Sequence, residues 1–189
     1  APVVVDAAGP FSRELSKTAG TDVPVTPDSH EGAITEPVKP FFTCMVVDLR
    51  PGPDSKNYYF YQNNLGQVVF CITPDPVIEG TDKRETSTFL SQVGARMVTL
   101  LPRLKNLRVR RMWRGLYPMS PDGSPLVGWN NEVEGLLHAT GMCGQGFMLG
   151  PGVGEVVARL ISKKSTEEDS IILQGFSPYR SFGEEEALK

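Results

Sequence analysis

Between Gly141 and Gly152 this chain places five glycines in twelve positions, in the order Gly-Met-Cys-Gly-Gln-Gly-Phe-Met-Leu-Gly-Pro-Gly. A strand or helix interior does not support that density, because each glycine there costs roughly 0.5–1 kcal/mol relative to alanine. The stretch is therefore a loop, and its flanks say of what kind. Gly135 to Thr140 is a short apolar run between turn residues, and Val153, Val156, Val157, Leu160 and Ile161 recur at helical spacing. The pattern predicts strand, glycine loop and helix, with the helix running from 151 to about 162 and Pro151 in its first turn. Such a loop gathers unpaired backbone N–H groups and the positive end of a helix, worth roughly 0.3–1 kcal/mol to a ligand carrying partial negative charge. On the glycines alone a tight turn between a core strand and a core helix is a slightly better account than a ligand site. The stretch lacks the G-x-x-x-x-G-K-[ST] phosphate loop and only loosely imitates G-x-G-x-x-G.

The residues upstream add a second motif. Trp113, Gly115, Leu116, Pro118, Ser120, Pro121, Asp122, Gly123, Pro125 and Gly128 form an aromatic strand and a proline-rich turn, followed by Gly141, Gly144, Gly146, Phe147, Gly152, Gly154 and Glu155. Together these resemble the C-terminal signature of the FAD-dependent D-amino-acid oxidase, glycine oxidase and sarcosine oxidase family. The first residues, Val3 to Ser12, resemble the strand and turn that close the first segment of that family's FAD domain. The resemblance covers Val3 to about Phe182. It implies an FAD cofactor, a small amine or amino-acid substrate, and hydride transfer from the carbon beside the substrate nitrogen. In the family the Val3–Ser12 motif lies far inside the polypeptide, so the expectation is a C-terminal portion of a longer flavoprotein. Its N-terminal FAD-binding segment is then the missing partner, and the portion alone is inactive.

Charge and composition narrow the alternatives. With 19 basic and 22 acidic residues nothing asks for nucleic acid, and no apolar run approaches a membrane span. Cys44, Cys71 and Cys143 are odd in number and lack metal-ligand spacing, so no metal is expected and a reduced cytoplasmic setting is the default.

The expected fold is α+β: an antiparallel substrate-binding sheet with covering helices, flanked by strand and helix pieces of an incomplete FAD-binding domain. The expected division is 1–20 for the end of the first FAD segment, 21–112 for the substrate-binding cap, 113–182 for the C-terminal FAD segment and 183–189 for a charged tail. Within it, Val3 to Asp6 reads as a strand and Pro10 to Ala19 as a helix stopped by Gly20. His30 to Pro37, Phe41 to Leu49, Asn57 to Gln62, Gln67 to Thr73 and Leu107 to Tyr117 read as further strands. Phe89, Val93, Met97 and Leu100 form one stripe of a helix from Asp82 to Leu101, with Asp82 and Glu85 as its N-terminal cap.

For the site, Gly141, Cys143, Gly144, Gln145, Gly146, Phe147 and Met148 are the expected flavin neighbours, mainly through backbone groups. Tyr117, Arg114 and Tyr59 are the substrate-binding candidates, and no residue is assigned a catalytic proton transfer. Glycine and D-amino-acid oxidases often carry Arg at the position of Tyr117, and monomeric sarcosine oxidases often carry Lys at that of Met148. Tyr117 is instead similar to sarcosine oxidase β subunits and to dimethylglycine or proline dehydrogenases. Arg114 offers a replacement cation, but strand alternation separates it from Tyr117. His30 and His138 read as structural, Asp122 as a turn residue and Cys143 as an ordinary thiol. The rival reading is a non-catalytic subunit or interaction module that keeps the fold without binding FAD. Its faces at 3–6 and 135–140 would then take a partner or self-associate.

Overall fold

The computed structural model describes residues 1–183, and the chain divides into two compact units. One is the continuous stretch Ser29–Leu116; the other joins Ala1–Asp28 to the chain from Tyr117 onward. These boundaries lie a few residues beyond the 20/21 and 112/113 expected from sequence, because two long strands, β2 (Thr26–Thr35) and β6 (Val109–Met119), run through both. The charged tail expected at 183–189 lies, from Glu184 on, outside the described residues. The α+β class is the one expected.

The continuous unit is a sheet with strand order β3-β4-β5-β2-β6, where β3 is Val46–Asp48, β4 Ser55–Gln62 and β5 Val68–Pro74. Alternation sends Tyr58 and Phe60 of β4, Phe70 and Ile72 of β5 and Ala33 of β2 to one face. The helix α2 (Phe89–Leu100) lays Phe89, Val93 and Met97 on that face, and all of these residues are buried. Phe70 and Phe89 stack with ring centroids 6.2 Å apart. Each such side chain contributes about 1.5–3 kcal/mol on burial, which makes this cluster the main source of the unit's stability.

Two expectations are corrected here. The helix begins at Phe89, not Asp82. Asp82 instead pairs with Arg84, and the Glu31 carboxylate holds both the amide and the hydroxyl of Thr86 at 2.6 Å, so this segment is pinned before any helical turn forms. Of Phe41 to Leu49 only Val46–Asp48 is strand. Phe41 and Phe42 turn onto the core, and the Phe41 amide donates to Gln62 Oε1 at 3.0 Å.

The unit made from the two chain ends contains a three-stranded sheet, β1-β8-β7. β1 (Val4–Asp6) runs parallel to β8 (Leu136–Thr140), which pairs antiparallel with β7 (Leu126–Trp129). After a short 3-10 turn at Gly9–Phe11 comes α1 (Ser12–Thr18), ended at Gly20. α3 (Gly146–Ile161) and α4 (Glu167–Gly175) follow the sheet. Thr166 and Asp169 cap α4 reciprocally, and Arg159 of α3 grips the buried Asp169 at 2.7 and 2.8 Å. That grip holds the Asp169 carboxyl well below the usual carboxylate range. Beside it the two helices and Val127 enclose an apolar cavity of about 440 Å³, lined also by Val153, Val156, Ile172 and Phe176.

Candidate functional site

The glycine loop leaves β8 at Gly141 with φ +65°. A Cβ there would lie 2.8 Å from Leu126 Cγ, so both the backbone angle and the space require glycine. Cys143 follows with φ +49°, a left-handed conformation that costs a non-glycine residue on the order of 1–3 kcal/mol. The neighbouring chain holds it there. Its amide donates to the Pro118 carbonyl at 3.2 Å, and its buried Sγ lies 3.6 Å from Ser120 Oγ and 3.5 Å from the Gly141 carbonyl.

Past that bend α3 begins at Gly146, five residues earlier than expected, and Pro151 lies inside it. Pro151 has no N–H for the Phe147 carbonyl, and the amides of Gly146 and Phe147 precede the first helical hydrogen bonds. The first helical turn therefore presents backbone donors and an acceptor beside apolar side chains. Phe147 is 100% exposed and Met148 74%. Both side chains thus stand in solvent at the helix start. The positive end of the helix favours negative charge at the same place.

Of the substrate candidates, Tyr117 belongs to the same unit as this loop, next to the Pro118 that holds Cys143. Tyr59 and Arg114 belong to the continuous unit, on opposite faces of its sheet. Tyr59 faces away from α2, opposite Cys71 in the register, where burial pushes the Cys71 thiol up to about 11. Trp113 lies on that face too, its indole against Gly32. Arg114 alternates with Trp113 on the α2 side and donates from Nη1 to the Arg84 carbonyl at 2.9 Å.

Two buried clusters escape sequence reading. Asp6 is fully buried and accepts from His138 Nδ1 at 3.0 Å, Ser12 Oγ at 2.8 Å and the Ala8 amide at 3.1 Å. Burial raises the Asp6 pKa, but the bonds from His138, Ala8 and Ser12 outweigh it, so the carboxyl titrates below its ordinary range. Asn130 Oδ1 accepts the Glu132 and Val133 amides, leaving its Nδ2 to donate to His138 Nε2 at 3.1 Å. His138 therefore carries its proton on Nδ1, which it donates to Asp6. The second cluster joins Asp122 to Arg180 bidentately at 2.7 and 2.9 Å, and Arg180 holds the Asp122 carboxyl below the usual range. Asp122 also accepts the Ser124 amide, so its turn role is real and Arg180 shares it. The one hint in the sequence was the pairing of a Pro-Asp-Gly turn with an arginine near the end of the chain.

Among the described residues no three His, Cys, Asp or Glu side chains are grouped to hold a metal, and no helix is long and apolar enough to cross a membrane.

One continuous stretch thus forms a sheet-and-helix unit, and the two chain ends form a strand–glycine loop–helix unit. A family model described as FAD dependent oxidoreductase matches residues 1–160, and the chain belongs to that family. It is 30% identical over 159 residues to a glycine oxidase of Pseudomonas putida, which spans 84% of this chain and 41% of that protein. The solved glycine oxidase from Geobacillus kaustophilus superposes with a TM-score of 0.80 at 26% identity over 96% of this chain and 46% of its own. The solved L-proline dehydrogenase from P. horikoshii gives 0.77 at 31% identity over 94% and 46%. The chain thus spans less than half the length of these relatives. The family's cofactor is FAD, and the loop fits it: amides and a helix N-terminus for an anionic ring edge, and exposed Phe147 and Met148 for an apolar ring face.

Proposed function

We propose that this chain is the C-terminal part of an FAD-dependent oxidoreductase that oxidises the C–N bond of a small amine or N-substituted amino acid. The observation that carries the reading is the Gly141–Met148 loop, whose forced left-handed entry delivers free amides and a fully exposed Phe147 to one helix start. In this reading residues 1–28 and 117–183 belong to the flavin-binding part, and 29–116 are the cap that bears on substrate. Bound FAD supplies an acceptor for the hydride that leaves the carbon beside the nitrogen.

The chain's own residues supply position and electrostatics. Amides at the start of α3 favour negative charge on the flavin's pyrimidine edge. Phe147 and Met148 provide apolar surface, and Tyr59 and Trp113 each place an aromatic ring on the face of the cap sheet that α2 leaves uncovered. Tyr117 and Met148 stand where relatives often place Arg or Lys, so a carboxylate is not gripped bidentately from these positions. The likeness to both glycine oxidases and an L-proline dehydrogenase supports a small amino-acid substrate.

One observation favours the second reading, an interaction module. β1 is an edge strand whose Val4 and Val5 are exposed, a surface that accepts another strand. Flavin titration separates the two. The chain alone is expected to bind FAD weakly, while the full-length protein binds it and bleaches on addition of a secondary amino acid. Replacing Gly141 by Val in the full-length protein should abolish flavin retention. Tight binding with substrate bleaching by the isolated chain would remove the partial-chain reading, and a full-length protein that never takes up flavin would establish the interaction module.

A further inference from the structure

We infer that Arg180, close to the end of the described chain, is a positioning residue that sets the conformation of the Gly141–Met148 loop. Its guanidinium has five N–H donors, and all five are used within the chain. Nε and Nη2 take the two Asp122 oxygens at 2.9 and 2.7 Å, Nη2 also reaches the Ser124 carbonyl at 3.0 Å, and Nη1 reaches the carbonyls of Pro125 at 2.9 Å and Ser177 at 3.0 Å. The Arg180 and Asp122 side chains are only 11% and 10% exposed, so the pair is a structural hub rather than a surface ion pair. Phe182 lies under the guanidinium at 5.0 Å.

The hub fixes the turn from Ser120 to Pro125, and that turn supports the loop. Ser120 Oγ donates to the Ser124 carbonyl at 2.7 Å and lies against Cys143 Sγ, while Pro118, two residues before Ser120, accepts the Cys143 amide. Leu126, directly after the turn, and Ser120 Cβ fill the space beside Gly141. Cys143 holds its unfavourable φ only while Pro118 and Ser120 stay in place. Arg180 reaches the loop through Asp122 and the turn. The functional weight of this arrangement rests on the flavin reading proposed above.

Cys143 and Cys71 supply the test, since both thiols are buried and they lie in different units. In a Cys44→Ser background, Arg180→Met should raise the rate of iodoacetamide labelling at Cys143 by roughly tenfold or more while leaving Cys71 protected, the mark of local rather than global opening. Arg180→Lys, with three donors and no bidentate fork, should give a smaller rise. Unchanged protection of Cys143 in Arg180→Met overturns the proposal, as does a parallel rise at Cys71. If Arg180→Met does not fold, Arg180→Lys and Asp122→Asn decide by the same two labelling rates. The visible flavin band of the full-length holoprotein provides the separate arm. A band shift in Arg180→Lys together with Cys143 opening supports both statements. Cys143 opening with no band shift keeps Arg180's hold on the loop and removes the loop from the flavin.

Discussion

The stretch Ser29–Leu116 closes around ten buried apolar residues, with α2 laid on the sheet by Phe89, Val93 and Met97. Among the described residues of the unit made from the two chain ends, Val23, Val25 and Leu126 form a smaller buried cluster, and Val127, Leu136, Leu137, Val153 and Val156 are buried outside it. That unit also has long-range polar closures, Asp6 with His138, Ser12 with Thr140, Thr21 with Asn130 and Asp122 with Arg180, and the shorter-range pair Arg159 with Asp169. Asp6 and His138 are 132 positions apart in sequence. One unit is thus specified mainly by a local periodic pattern, and the other depends more on hydrogen bonds between distant residues that are costly to leave unmade. Their responses to mutation and pH should differ accordingly.

The chain has two tryptophans, Trp113 in the continuous unit and Trp129 in the other, so single Trp-to-Phe variants report each unit separately. Phe89→Ala should have the largest effect, about 3–5 kcal/mol from the Trp113-reported urea transition, by lost transfer energy and a residual cavity. Equal loss at Trp129 would break the comparison, because the two units would then unfold as one. Asp6→Ala, which strands His138 Nδ1 and the Ala8 amide and leaves the Ser12 hydroxyl only Thr140 Oγ1, should cost about 3 kcal/mol at Trp129. Little change there would show that water replaces the carboxylate.

Acid should separate the units next. Asp6, Asp122 and Asp169 titrate below the ordinary carboxylate range in the folded unit, so the folded state binds fewer protons than the unfolded one as pH falls. Their contribution is present above about pH 4 and lost as pH drops further, so the Trp129 transition should weaken first between roughly pH 4 and 2. Asp48 and Asp82 of the other unit are also depressed, by Arg50 and Arg84, but these pairs span two residues and close no long-range contact. A pH profile at Trp129 that parallels the one at Trp113 would count against the distinction. The smallest effect is expected of Thr166→Ala, about 1 kcal/mol from loss of the α4 cap, visible as faster amide exchange in residues 167–170.

What was legible in the sequence follows the same division. The stripe of Phe89, Val93 and Met97 and the alternation around Tyr58 and Phe60 are local patterns, and both mark the core. The start of α2 was misplaced because Glu31, more than fifty residues upstream, captures Thr86. The glycine loop announced itself, but the helix start moved from 151 to 146, since a proline is read as a first-turn residue when its context is hidden. His138 was read as core without its partner, because no spacing rule links it to Asp6. Whether the candidates Arg114 and Tyr59 share a sheet face depends on pairing across four strands, and alternation within β6 puts Arg114 with Met112 on the α2 side.

The entry and exit of the continuous unit are adjacent strands. Glu36 donates from its amide to the Arg108 carbonyl and Gly32 lies against Trp113, so β2 and β6 run in opposite directions and bring Ser29 and Leu116 close together. A segment whose two ends are neighbours is an interchangeable cassette. It can be enlarged, trimmed or swapped for another at the cost of one short turn, with the path of the remaining chain unaltered. Residues 29–116 are then the piece to exchange whole, without altering the residues around Gly141.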